Sequence, residues 1–289
     1  MARVRRPRDG RQPPLFDLPP SGVSPVKIKS LEHPIWTENK AKLIECYLFL
    51  FEMVTKHGTY IDGFAGPQRP KEVEMWAAKL VLGLKPQWLR HFYLFEKKRV
   101  LYDKLNHLKR MYKNLDVQVF PGDFNYLVLG LLHNNTIREK EATFCLLDHR
   151  TFECNWSTVK ALANYKTKGP KIELFYFLPY FWIDRALSAQ KKTEVLDKWW
   201  GSGEWKAWKK MRPEERKDYF AQRFKNELGY RYSVAWPVYR RKHGGNIMYH
   251  MIHATDHAAA PILMSRAYDQ ALDIKETAIQ LKFDLQRLS

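Results

Sequence analysis

Between residues 58 and 178, short apolar runs alternate with longer stretches whose apolar positions recur at helical spacing. The runs are Gly58–Asp62, His91–Phe95, Val117–Phe120, Ala142–Leu147 and Ile172–Leu178. Their length and their β-branched and aromatic content read as strands. The intervening segments, about 71–84, 100–113, from Phe124 onward and 158–165, read as helices. Strands separated by helices of this length predict a parallel sheet covered on both faces, an α/β fold. Upstream, Thr37 is placed to cap a helix running to about Lys56, with Leu43, Cys46, Tyr47, Leu50 and Phe51 as its apolar stripe. The rhythm breaks at 188–229, where Lys is abundant, Trp199, Trp200, Trp205 and Trp208 cluster, and no strand alternation occurs. This stretch predicts a helical insertion. Two β-rich runs follow, 230–239 and 246–254, separated by Arg240-Arg241-Lys242-His243-Gly-Gly, which predicts an antiparallel hairpin. Helices are expected from about His257 and about Asp269. Residues 1–26, with five arginines among Pro and Gly, bury too little apolar surface to fold alone. The expected organisation is therefore a basic arm over 1–26 and one α/β domain over 27–289 that carries the insertion.

The first strand ends in Asp62, and Gly63-Phe64-Ala65-Gly66-Pro67-Gln68 follows. Glycines there let the chain turn tightly and approach a ligand closely. Three more strands also end in an acid, at Glu96, Asp123 and Asp148. Any one of these can cap the next helix. Four in succession place carboxylates along the carboxyl edge of a parallel sheet, where such sheets bind ligands. A nucleoside suits them, because one carboxylate can accept both ribose hydroxyls and another can meet an exocyclic amine. The spacing excludes two nucleotide classes. A dinucleotide fold expects its ribose acid about 20 residues past the glycines and a third glycine; here Glu96 lies thirty residues past Gly66, and Pro67-Gln68 replaces the third glycine. No GxxxxGK[ST] phosphate loop is present either.

Charge adds a partner class. Lys plus Arg number 49 against 31 Asp plus Glu, a net charge of +18, which suits a polyanion, with nucleic acid favoured over an acidic membrane surface. The three cysteines contain no CxxC pair, so structural zinc is not expected, and their scarcity fits a reducing cytoplasm. No apolar run approaches the roughly 20 residues of a membrane span, and the basic N-terminus lacks the apolar stretch of a secretory signal.

Tyr60-Ile-Asp62-Gly63-Phe64-Ala65-Gly66-Pro67 resembles the first motif of class I S-adenosylmethionine-dependent methyltransferases. More narrowly, the chain resembles the bacterial three-Cys-motif partner proteins, a methyltransferase-like family. The similarity lies in Trp36-Thr-Glu-Asn-Lys40-Ala-Lys42, in Tyr60–Pro67, in Leu146-Leu-Asp148 with Trp156, and in Tyr249–His257 with Ile262-Leu-Met264. The resemblance implies a seven-stranded Rossmann-like sheet ending in an antiparallel hairpin, with S-adenosylmethionine as cofactor. It also implies that Asp62, Gly63, Phe64, Ala65, Gly66, Pro67 and Gln68 surround the methionine moiety and that Glu96 holds the ribose. Asp123 with Phe124 would meet the adenine, and Asp148 would face the substrate. A three-cysteine-motif protein is the implied partner.

One departure bears on chemistry. Methyltransferases acting on base amines carry Asp/Asn-Pro-Pro-aromatic after the fourth strand, where a flipped base is held and stacked. This chain has Asp148-His149-Arg150-Thr151-Phe152. His149 is the candidate base and Arg150 a candidate phosphate contact, together with Arg240, Arg241 and Lys242; the alternative is a polar exposed loop. His250, His253 and His257 do not predict a metal, since residues 250 and 253 of one strand face opposite sides. Cys145 falls inside an apolar run and lacks the Pro-Cys context of cytosine-C5 enzymes. The functional expectation is methyl transfer to RNA or DNA. Its alternatives are a methyltransferase fold that only grips nucleic acid or a partner subunit, and, with little support, a nuclease.

Overall fold

The structure, a computed structural model, describes residues 40–67, 76–241 and 244–271. The expected arm, Thr37, Gln68 and Lys242 lie outside them. In chain order the elements are α1 (Lys40–Thr55), β1 (Gly58–Asp62), α2 (Ala77–Leu82), β2 (Leu89–Glu96), α3 (Arg99–Met111), β3 (Asp116–Pro121), α4 (Phe124–His133), β4 (Thr143–Leu147), α5 (Trp156–Asn164), β5 (Glu173–Pro179), α6 (Ile183–Ala189), α7 (Thr193–Trp200), α8 (Trp205–Lys210), α9 (Pro213–Asn226), β6 (Tyr232–Arg241), β7 (Gly244–Thr255) and α10 (Ala260–Ala271).

Seven strands form one sheet in the order β3-β2-β1-β4-β5-β7-β6. β1 to β5 run parallel, while β7 is antiparallel to both β5 and β6. This is the sheet with a terminal antiparallel hairpin that the resemblance implied. The central strands β1, β4 and β5 are buried along their whole length, which is why they read as unbroken apolar runs. Alternate side chains enter opposite cores. Ile61 and Cys145 join Phe124, Val128, Trp156 and Val159 on one face. Tyr60 and Phe144 join Leu43, Tyr47, Leu48 and Tyr268 on the other.

Three boundaries depart from expectation. The helix expected over 71–84 is described only as α2, which starts after Trp76 and ends at Gly83. The one expected at Thr158 begins two residues earlier, with Asn155 in the extended N-cap conformation. The helix expected from about His257 begins at Ala260 and runs unbroken through Asp269, where a separate helix was expected to start, and Pro261 sits in its first turn, where its missing N–H costs nothing. Neither Thr255 nor Asp256 caps it: Thr255 accepts from the His257 N–H, and Asp256 accepts from the Arg231 N–H.

The insertion is helical and starts with α6. Its tryptophans are buried, with Trp199, Trp200 and Trp208 in mutual ring contact and Phe220 packed among them. The Arg223 guanidinium lies between the Trp156 and Trp200 rings, 4.0 and 4.1 Å from their centroids. These aromatics form the floor of a subdomain, so they do not offer stacking planes to an outside base.

Candidate active site

Because β1 to β4 are parallel and adjacent, their carboxyl ends share one edge. A cleft of about 170 Å³ opens there, walled by Gly63, Phe64, Gly66 and Pro67 from the turn after β1. Glu96 with Lys97 and Lys98, Gly122 through Phe124, and Asp148 with Arg150 and Glu153 complete it from the turns after β2, β3 and β4.

The turn after β1 is tied to both neighbouring strands. The Gly63 N–H donates to the Leu146 carbonyl at 3.0 Å, and the Ala65 N–H donates to the Phe95 carbonyl at 2.9 Å. The Trp76 indole N–H donates to the Ala65 carbonyl at 2.6 Å. Asp62 is buried behind this turn and does not line the cleft. Its carboxylate accepts from the Phe64 N–H at 3.1 Å and the Tyr60 hydroxyl at 3.0 Å. Burial dominates these bonds and pushes its pKa up to about 7. Asp62 is thus a brace for the turn, a correction to its expected place beside the ligand. Ala65 also stays out of the wall.

Both glycines are required by close approach. A Cβ on Gly63 would meet the Phe124 ring at 3.0 Å, and one on Gly66 would lie 2.1 Å from Glu96 Oε2. That contact exists because the Gly66 N–H donates to Glu96 Oε2 at 3.1 Å, while Glu96 Oε1 accepts from the Lys98 N–H at 2.7 Å. Two backbone donors therefore fix the Glu96 carboxylate, and each oxygen keeps a second lone pair directed elsewhere.

Asp123 combines both of its expected readings. It caps α4, accepting from the Asn125 N–H at 3.0 Å, and it lines the cleft. Burial acts to raise its pKa, but bonds from Asn125 and from the Lys97 ammonium outweigh that and hold it below the usual carboxylate range. Phe124 packs on Phe64 and Phe95, 5.8 and 5.1 Å between centroids, and forms the apolar floor.

At the end of β4, Asp148 Oδ1 accepts from the Lys40 ammonium at 2.7 Å, with both side chains about nine-tenths buried. The same ammonium lies 4.7 Å from the Phe177 ring centroid and 5.0 Å from that of Tyr249. The next residue corrects the sequence reading. His149 is buried, absent from the cleft wall, and packed against Tyr176 and Phe64 at 4.6 and 5.6 Å. The Thr151 backbone is close, but neither ring nitrogen makes a hydrogen bond of acceptable geometry. Burial drives the His149 pKa down to about 3, leaving a neutral imidazole behind Phe64 rather than in the cleft wall. The Tyr176 and Phe64 rings hold the imidazole inside, which the polar string His-Arg-Thr did not reveal. Arg150 is exposed, and its N–H donates to the Glu153 carboxylate at 2.8 Å.

The structure thus brings together Gly63, Phe64, Gly66, Pro67, Glu96, Asp123, Phe124, Asp148 and Arg150. Arg240 and Arg241 end β6. Lys97, Lys98, Leu101, Gly122 and Glu153 were missed as lining residues. Lys97, Lys98 and Gly122 had position as a signal, next to the strand-end acids Glu96 and Asp123, whereas Leu101 and Glu153 lie five residues past theirs. Lys40 carried no comparable signal, because it reaches Asp148 from a helix 108 residues earlier. His253, buried and bonded to Glu173 at 2.9 Å, and His250, packed on Tyr180, occupy separate environments. Among the described residues no group of three or more His, Cys, Asp or Glu is placed to hold a metal ion, and no helix is long and apolar enough to cross a membrane.

No protein-family model and no curated protein matches the chain. Solved structures similar to it include TYW2 of M. jannaschii in complex with AdoMet, at 14% identity over 75% of each chain and a TM-score of 0.39. A Listeria monocytogenes protein described as a class I S-adenosylmethionine-dependent methyltransferase aligns at 8% identity, over 86% of this chain and 74% of that one, with a TM-score of 0.40. An Escherichia coli protein, yhhF, described as a methyltransferase, aligns at 10% identity over 74% of this chain and 86% of its own, with a TM-score of 0.35. Likenesses at these values carry no argument; it is the strand order, with β7 reversed against β5 and β6, that gives this chain the Rossmann-like fold of class I methyltransferases.

Proposed function

We propose that the chain binds S-adenosylmethionine in the cleft at the carboxyl edge and transfers its methyl group to a nucleic acid. The observation that carries this is Glu96, a carboxylate locked by the Gly66 and Lys98 N–H groups at a turn that only a glycine fits. Glu96 would take the two ribose hydroxyls, Asp123 the adenine amine, and Phe124 the base plane. The Gly63–Pro67 turn would cradle the amino-acid end. The cofactor supplies an electrophilic methyl on a sulfonium. Asp148, held by Lys40, would orient the acceptor group and take up its proton. Exposed Arg150, the basic sequence Arg240-Arg241-Lys242 and the net charge of +18 support a polyanionic substrate.

Isothermal titration of the purified chain with S-adenosylmethionine tests the first half. Transfer of labelled methyl to total RNA and to DNA tests the second. Absence of binding sinks the proposal as a whole; binding without transfer sinks its catalytic half.

One observation favours a second reading. His149, the expected base, is sequestered from the cleft, and no Pro-Pro-aromatic segment follows Asp148. A fold that holds nucleic acid, or serves as a subunit beside a three-cysteine-motif protein, needs neither. That reading requires salt-sensitive nucleic-acid binding unaffected by Asp148→Asn, and no methyl transfer in the wild type.

A further inference from the structure

β5 lies beside β4 in the sheet, and Leu147 is level with Tyr176, so the turn after Pro179 shares an edge with Asp148. That turn is Tyr180-Phe181-Trp182. The Tyr180 and Phe181 N–H groups both donate to the Met248 carbonyl, at 2.9 and 3.3 Å. The Tyr180 ring packs edge-on against His250, 4.7 Å between centroids, and the Trp182 ring packs edge-on against Tyr249 at 4.8 Å. Residues 249 and 250 of one strand face opposite sides of the sheet, so the turn is clamped from both sides with Phe181 at its crest. Phe181 is 48% exposed and makes no ring contact among the described residues.

A single exposed ring is ordinary; its position is what matters here. The aromatic that follows β4, Phe152, is buried against Trp199 at 4.9 Å and offers no plane to a ligand. Of the exposed aromatics Tyr126, Phe181 and Tyr219, only Phe181 directly follows a strand paired with β4. Contacts run from its turn back to the site: Trp182 touches Tyr249, the Lys40 ammonium lies 5.0 Å from the Tyr249 centroid, and Lys40 is bonded to Asp148. The charges around the turn leave two arginines over. Asp184 is paired with Arg216, Asp218 with Lys217, and Glu214 and Glu215 with Arg212. Exposed Arg185, on α6, and exposed Arg150, after β4, have no carboxylate within ion-pair distance of their guanidinium groups among the described residues.

We infer that Phe181 is the stacking platform for one unpaired base of a single-stranded nucleic acid, with Arg150 and Arg185 on the flanking phosphates. An aromatic plane beside cations holds a single strand without sequence readout, whereas a base inside a duplex is already stacked on both sides and has no face free for the ring. The inference rests on the nucleic-acid half of the proposed function and not on methyl transfer. It sets the stacked base one strand over from Asp148, the group assigned there to the acceptor.

The test is fluorescence anisotropy of the full chain with a labelled single strand of about twelve nucleotides, as RNA and separately as DNA, and with the matching duplex. Phe181→Leu keeps an apolar side chain but removes the plane, and should weaken single-strand binding about fivefold or more while duplex binding stays unchanged. Retained duplex binding shows that the variant is folded, and Phe181→Tyr, which restores the plane, should bind as the wild type. Arg150→Gln and Arg185→Gln should each lower the slope of log affinity against log salt by about 0.7, a slope that Phe181→Leu leaves as it is. Single-strand binding by Phe181→Leu within about twofold of the wild type, or equal loss of single-strand and duplex binding, overturns the platform and leaves the nucleic-acid reading standing. Unchanged slopes in both arginine variants overturn the phosphate contacts. A wild-type chain that binds neither probe overturns the platform and the nucleic-acid reading together.

Discussion

Gly66→Ala is the sharpest test of the cofactor cleft. The new Cβ would lie 2.1 Å from Glu96 Oε2 and 2.9 Å from Leu101 Cβ, so the Glu96 carboxylate must leave its place. The carboxylate is the far end of a flexible, partly buried side chain and can swing away, whereas Leu101 Cβ is fixed on α3 and must give by a few tenths of an ångström, which is the cost to the fold. The larger loss falls on the ligand. Displacing the carboxylate removes two charge-assisted hydrogen bonds to the ribose, each worth about 1.5–3 kcal/mol. The lower figure for both gives about 3 kcal/mol, roughly a hundredfold in dissociation constant. Isothermal titration with S-adenosylmethionine should show that loss, while thermal unfolding stays within about 4 °C of the wild type. Glu96→Ala should lose about as much, and the double variant little more, because both changes remove the same contact. Gly66→Ala binding within about threefold of the wild type would refute the assignment of Glu96 to the ribose, whatever happens to catalysis.

Three further outcomes follow from buried groups. Asp62, at a folded pKa of about 7 against an ordinary 3.8, binds its proton more tightly when folded; stability from this source is full below pH 4 and is lost as pH rises through 7, about 4 kcal/mol in all. Asp62→Asn should remove that slope in urea titrations across the range. His149, at about 3 against 6.5, acts oppositely: its contribution is present above pH 6.5 and is lost as pH falls toward 3. His149→Phe should therefore be nearly neutral at pH 7 and protective in acid; because the two slopes oppose each other between about pH 4 and 6.5, each single variant should tilt a wild-type curve that is close to flat there. Arg223→Met removes a cation held between two indole rings and bonded to the Trp200 carbonyl at 2.7 Å, and should cost about 3 kcal/mol, seen as a fall of roughly 6–12 °C in Tm.

The alternation of apolar runs and helical stretches determined the sheet, its parallel part and the closing hairpin, because burial on both faces leaves a continuous apolar signature in each central strand. It also determined that Asp62, Glu96, Asp123 and Asp148 share an edge, since parallel strands put all their carboxyl ends on one side. Within that edge, only the tertiary structure assigned places. Asp62 turned inward because the Tyr60 hydroxyl and the Phe64 N–H wait behind the turn, whereas Glu96 stayed at the wall because its donors come from the wall itself. Adjacent residues parted as well: Asp148 faces the cleft with Lys40 beside it, and His149 is drawn into an aromatic pocket. Local pattern records which residues lie near a strand end, but the partners of a buried charge come from elements far away in the chain, and those partners decide whether an acid braces a turn or lines the cleft.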